Sequence, residues 1–345
     1  MRLVLHIGTE KTATTTLQHF LYRNRAALAE QGYALLSSLL FPKNRKLVAY
    51  CMDDSQTDGF FTQRGLHNLE QRRHYLHSVP QDLAQEVTDL PASIHTVIIT
   101  SEHFHSRLHR PDELQRLRRV LCPVFADIHI LGYFREQSAL AKSLYSTAMR
   151  VGRTVTFEQS LGSARVDSLY YNYHLLLSQW ASVFGAASVQ ARLFAREAFV
   201  GGDIRRDLLA QLGPGIDAAS FAFDREPRNP SLGGHGLLLA RLINQACPAN
   251  RADGSLNPNW RRLMDALTVS RLAYQGALAF PQAAAIHAAF HQANVAFGAA
   301  FLGIAGNPFA VPETPSGVAD DRVMLTDVAE LVATVAAATA ADPAR

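Results

Sequence analysis

The chain has 345 residues, 48% hydrophobic and 18% charged, which is the composition of a globular protein with a sizeable core. Its formal charge of +3 suits an anionic ligand and falls well short of a nucleic-acid-binding profile. Three scattered cysteines, Cys51, Cys122 and Cys247, have no metal-ligand spacing and an odd count, which points to a reducing compartment.

The first element is the most informative. Residues 2–8 form a short apolar run ending at Gly8; Lys11 follows, then Thr12, Ala13, Thr14, Thr15 and Thr16, then a helical pattern from Leu17. This predicts a strand, a tight loop and a helix start. A helix N-terminus offers unpaired N–H groups and the positive end of a dipole, and is therefore a ready anion site. Lys11 adds a full charge, and the threonines add hydroxyls and candidate caps. The spacing is not that of a Walker A loop, because only two residues separate Gly8 from Lys11 and no glycine precedes the lysine. An ordinary N-capped first helix is the plainer alternative.

Leu17, Phe20, Leu21 and Leu28 recur at helical spacing, so a helix is expected over 14–31, ended by Gly32. Residues 32–36 read as a second strand. Residues 41–80 are polar and basic, and predict a loop with an exposed helix. Thr96–Thr100 is a buried strand, which should lie beside the first and bring Glu102 close to the anion loop. A carboxylate there could take a proton from a hydroxyl or amine, with His103 and His105 as alternatives; the bland reading is that Glu102 caps a helix. A metal site at His103, His105 and His109 is not expected, since no carboxylate or cysteine cluster accompanies them.

Residues 126–134 form a further strand, followed by Arg135 and, eight residues on, Ser143. A guanidinium and a hydroxyl so placed could converge on one small anion, although a surface arginine beside a helix looks the same. Residues 189–194 make another strand. Helical patterns separate the strands, so the sheet is expected to be parallel, with ligands outside the carboxyl ends of its strands. Arg228 and Asn229 lie in a Pro-bounded loop before a helix. Beyond residue 236 the chain reads as Ala- and Leu-rich helices, with an amphipathic one near Leu325–Ala338. No uncharged apolar run there reaches the length of a membrane span, and Arg2 leads into a strand rather than an export signal, so a cytoplasmic location without a membrane span is expected.

The segment Glu10-Lys11-Thr12-Ala13-Thr14-Thr15-Thr16 resembles the 5′-phosphosulfate loop of sulfotransferases, usually Pro-Lys-Ser/Thr-Gly-Thr-Thr. Glu10 stands for the proline and Ala13 for the glycine. Ala13 fits if the position is right-handed; Glu10 fits only if its carboxylate turns away from the anion. Arg135 with Ser143, and Trp180–Gly185 with Arg192–Phe194, also resemble the bacterial sulfotransferase family that uses 3′-phosphoadenosine 5′-phosphosulfate. The resemblance covers roughly residues 1–235.

It implies a three-layer α/β/α, P-loop-like fold with added C-terminal helices, in one domain over 1–310 followed by a linker and helix over 311–345. It also implies sulfuryl transfer, without a metal, to a hydroxyl or amine of an acceptor, with carbohydrate as a candidate class. Lys11, Thr12, Ala13, Thr14, Thr15 and Thr16 would hold the 5′-phosphosulfate, and Arg135 and Ser143 the 3′-phosphate. Arg228 and Asn229 would close over the nucleotide. Glu102 or His105 would act as base, and 41–80 is a candidate acceptor-side insertion. A nucleotide-dependent kinase and a non-catalytic nucleotide-binding module are the competing expectations.

Overall fold

A computed structural model describes residues 1–223, 231–278 and 280–312. In chain order they form β1 (Arg2–Gly8), α1 (Thr14–Arg23), α2 (Arg25–Glu30), β2 (Tyr33–Leu35), α3 (Arg45–Cys51), α4 (Gly59–Thr62), α5 (Leu69–Leu76) and α6 (Val79–Thr88). Then come β3 (Thr96–Thr100), α7 (His103–Arg107), α8 (Pro111–Leu121), β4 (Asp127–Phe134), α9 (Gln137–Arg150), α10 (Phe157–Leu161), α11 (Tyr173–Phe184) and β5 (Val189–Leu193). Helices α12 (Ile204–Leu212), α13 (Gly234–Ala246), α14 (Pro258–Val269), α15 (Ala283–Ala289) and α16 (His291–Phe297) complete the described elements.

The five strands make one sheet in the order β2-β3-β1-β4-β5, and every pair is parallel. The fold is therefore α/β with a central parallel sheet flanked by helices, as the alternating strand and helix patterns predict. The inner strands β1 and β3 are almost wholly buried because both faces are covered, whereas β5 at the sheet edge carries Gln190 and Arg192 and buries only Ala191. Val4 of β1 and Ile98 of β3 pack with Leu17, Phe20 and Leu21 of α1 and Leu208 and Leu209 of α12. Leu3, Leu5 and Ile7 are also fully buried and, by the two-residue strand period, face the other way.

The chain forms two compact units. The first comprises the described residues of Met1–Arg135, Val166–Glu226 and Phe290–Phe309, and contains the sheet; the second comprises those of Glu136–Arg165, Pro227–Ala289 and Ala310–Arg345. In the first, Trp180 is fully buried and meets Phe104 edge-on at 6.5 Å, so it is a core residue. In the second, α9, α10, α13, α14 and α15 share an apolar core including Met149, Phe157, Leu267 and Phe280. Asn244 stitches that core together: it donates to the carbonyls of Met149 (2.9 Å) and Arg153 (2.7 Å) and accepts from the Trp260 indole (2.7 Å).

Two local expectations are corrected. The helix expected over 14–31 is interrupted at Asn24, whose buried side chain donates to the carbonyls of Phe20 (2.9 Å) and Ala222 (3.1 Å) and accepts from the Ala222 amide (2.7 Å). An asparagine that bonds backbone competes with helix continuation. Residues 41–80 are not a loop with one exposed helix; they contain three helices and the start of α6, and α3 buries Leu47, Val48, Ala49 and Cys51. The stretch reads as polar although its charges are paired, Arg45 with Asp58 inside it and Lys46 with Asp82 of α6 at 2.9 Å. Arg228, Asn229 and the helix expected near Leu325–Ala338 lie outside the described residues.

Arg192, singled out in the sequence, pairs with the fully buried Asp207 at 2.5 Å; Asp207 also accepts from the Tyr133 hydroxyl at 2.8 Å. Removing the guanidinium leaves a buried carboxylate without its charge partner. Arg192→Ala is expected to destabilise the first unit by about 3–5 kcal/mol, read as a lowered urea midpoint. An unchanged midpoint would show that the Tyr133 bond suffices.

Candidate functional site

The parallel pairing of β1 with β3 runs from Arg2 opposite Thr96 to His6 opposite Thr100, and the Ser101 amide donates to the His6 carbonyl at 3.0 Å. The strands therefore end together, with the Gly8–Ala13 loop leaving one and Glu102 following the other. Gly8 has φ +97°, and a Cβ there would lie 2.9 Å from the Glu102 Cα. Only glycine allows this approach. On its other side β1 pairs with β4, so Arg135, the residue after β4, leaves the same carboxyl edge of the sheet.

The loop is held from inside. Thr9 is fully buried, and its amide and hydroxyl both donate to the Tyr133 carbonyl at 3.1 Å; the buried Thr12 hydroxyl donates to the Thr9 carbonyl at 2.7 Å. Lys11 and Ala13 both have positive φ, 65° and 58°. Ala13 is thus left-handed, which corrects the expectation of a right-handed alanine and explains why glycine is the more natural residue there. The expected threonine cap is likewise corrected: Thr12 is spent inside the loop, the N-cap position falls on Ala13, and no side chain caps α1. The first turn, Thr14 to Thr16, holds no acidic residue. Its amides and the positive end of the helix dipole are left for an anion.

Glu102 does not cap α7, because its side chain makes no cap hydrogen bond. Instead Gln18 of α1, itself buried, donates to Glu102 Oε2 at 2.9 Å. His103 Nε2 lies 3.8 Å from Glu102 Oε1. Burial, helped by the nearby Arg45 cation and opposed by Glu102, holds the His103 imidazole below its ordinary range. His105 is fully buried, 2.9 Å from the Tyr170 carbonyl through Nε2, and burial lowers its pKa to about 4. His109 Nε2 lies 2.7 Å from the His105 carbonyl. Among the described residues, no group of three or more His, Cys, Asp and Glu could hold a metal ion.

Glu10, the unusual carboxylate of the loop, is tied into a network the sequence did not reveal. The Tyr170 hydroxyl donates to Glu10 Oε2 at 2.5 Å, and Arg107 lies 3.9 Å from Oε1. Burial pushes its carboxyl up, but the hydrogen bond from the Tyr170 hydroxyl and the Arg107 cation outweigh this and hold it below the usual range. Arg107 Nε also donates to Asp58 at 2.6 Å, and Asp58 pairs with Arg45. Burial raises the Asp58 carboxyl, yet hydrogen bonds from Arg107, the Phe60 amide and Arg45 bring it to about 2. Asn44 anchors the segment to the sheet by donating to the Thr100 carbonyl at 2.9 Å. Glu10, Arg107, Asp58 and Arg45 thus form a chain of alternating charge along the strand ends.

Arg135 carries its guanidinium over the Phe194 ring at 5.8 Å, and its carbonyl accepts from the Tyr173 hydroxyl at 2.6 Å. Ser143 belongs to the second unit, in α9, where its carbonyl accepts from Thr147 at 3.2 Å. Gln18, Tyr170, Asp58 and Arg107 were missed as site residues. Only Gln18 left a local signal, as a polar residue beside Leu17 on the helix stripe.

No family model matches the chain. An uncharacterized protein of Archaeoglobus fulgidus is 29% identical over 116 residues, which are 34% of this chain and 30% of that protein. The matched part therefore spans less than a third of that relative's length. Among solved structures, the crystal structure of a sulfotransferase from Alicyclobacillus acidocaldarius aligns over 75% of this chain and 98% of its own, at 17% identity and a TM-score of 0.40. Among the described residues no helix is long and apolar enough to cross a membrane.

Two predictions follow from this geometry. Ala13→Gly is expected to stabilise the protein by about 0.5–1 kcal/mol in urea unfolding, because relief of the left-handed alanine outweighs the added chain entropy; destabilisation would contradict the strain. The second concerns His6 and His105, buried with pKa values of about 4 against 6.5. The unfolded chain takes up their protons first on acidification, so stability is present above the unfolded pKa and is lost as pH falls from about 6.5 toward about 4, by on the order of 3 kcal/mol per histidine. Urea midpoints measured across that window should fall, and fall less steeply in His105→Gln; a flat profile would contradict the burial.

Proposed function

We propose that the chain is a sulfotransferase that moves a sulfuryl group from 3′-phosphoadenosine 5′-phosphosulfate to a hydroxyl or amine of an acceptor, carbohydrate being the favoured class. One observation carries the reading: an uncapped helix N-terminus without acidic residues follows a lysine-bearing loop, beside a glutamate packed on that loop's glycine. The resemblance of Glu10–Leu17 to the phosphosulfate loop selects sulfuryl transfer among the chemistries such a loop serves.

In this reading the amides of Thr12 to Thr16 and the hydroxyls of Thr14 and Thr15 receive the 5′-phosphosulfate. Lys11 neutralises the charge that develops on the bridging oxygen as the S–O bond to the nucleotide breaks. Donors aimed at developing charge are worth about 3–4 kcal/mol each. Glu102 takes the proton from the acceptor as the new bond to sulfur forms, and Gln18 fixes the orientation of its carboxylate. Arg135 binds the donor's 3′-phosphate, a positioning role. The family resemblance assigns Ser143, Arg228 and Asn229 to the same nucleotide, and His105, neutral and buried, is the second choice as base.

The test is transfer of labelled sulfate from the donor to a panel of glycans without added metal. Wild type is expected to label an acceptor, with Lys11→Ala and Glu102→Gln each reduced about a hundredfold or more. Nucleotide binding without transfer to any acceptor would favour a non-catalytic module, and transfer that survives both substitutions would overturn the assigned roles.

A further inference from the structure

Arg72, Arg73 and His77, basic residues of 41–80, line a cavity together with Arg116. Residues of helices α3, α4, α5 and α8 line this half-open cavity of about 350 Å³, within the range of small-molecule sites. Its floor is apolar, with Met52, Phe61 and Leu76 all buried. Its polar wall carries three guanidinium groups, those of Arg72, Arg73 and Arg116, against a single carboxylate, Asp54.

The arginines are held in place mostly by neutral partners. Arg116 donates to the Met52 carbonyl at 2.7 Å, and Arg72 donates to the Gln56 carbonyl at 3.0 Å with its guanidinium 4.6 Å from the centre of the Phe61 ring. Arg73 alone pairs with an acid, Asp54 at 2.6 Å. Carbonyl oxygens and a ring face orient a guanidinium without cancelling its full charge. The lining therefore keeps an excess of two positive charges over an apolar, aromatic floor, from three arginines and one aspartate.

We propose that this cavity binds a small organic anion with a flat aromatic body bearing a carboxylate. The ring would lie on Met52, Phe61 and Leu76, and the carboxylate would face the arginines, whose planar forks match it. The site is separate from the Gly8–Ala13 loop and does not depend on the function proposed for that loop.

Calorimetry on the full chain with naphthoate and its uncharged analogue naphthamide tests the proposal. Naphthoate is expected to bind at one site, with naphthamide weaker by about tenfold or more. Arg73→Gln, at an exposed position where folding is not at stake, should weaken naphthoate by about tenfold, and Leu69→Trp, which enlarges a side chain lining the cavity, should abolish it. Saturating adenosine 3′,5′-bisphosphate should leave naphthoate binding unchanged. Absence of binding, equal affinity for the amide, indifference to both substitutions, or displacement by the nucleotide would each overturn the proposal.

Discussion

The close approach of Gly8 to the backbone of Glu102 is the constraint on which the candidate site rests. It exists because β1 and β3 are parallel neighbours whose registers run out together, at His6 and Thr100. Any side chain at Gly8 would meet the Glu102 backbone at 2.9 Å and would also have to adopt a positive φ. The glycine therefore couples two features that are 94 residues apart in sequence: the lysine-bearing loop and the backbone of Glu102. Parallel sheets collect ligands at this edge because strand ends and helix N-termini meet there.

The electrostatics follow from that coupling. A loop that is to hold an anion ought not to carry its own carboxylate, yet Glu10 sits between Thr9 and Lys11. The resolution is a lateral network in which Tyr170 and Arg107 engage Glu10, Asp58 engages Arg107, and Arg45 engages Asp58. The charge of Glu10 is answered by groups outside the loop. The price is a cluster of desolvated charges whose members depend on one another.

Much of this was legible in sequence, for reasons of range. The strands over 2–8, 96–100 and 127–134 are short, mainly apolar runs, and the anion loop is a contiguous string; both depend on neighbours in the chain. What escaped was non-local. Gln18 meets Glu102 across 84 positions and Tyr170 meets Glu10 across 160, and no spacing rule announces either pair. The charges of Arg45, Lys46 and Asp58, although paired, disguised a buried segment as a polar one. Ala13 was misjudged because its backbone is set by Thr9 and Thr12 hydrogen bonds rather than by its own preference.

The central claim is that the uncapped start of α1, with Lys11, forms a nucleotide-linked anion site. A calorimetric titration of the full chain with adenosine 3′,5′-bisphosphate addresses it directly. The account predicts saturable binding at one site, weakened by about tenfold or more in Lys11→Ala, since a charge-assisted contact is lost. No binding by the wild-type chain, or equal binding by the variant, would contradict it.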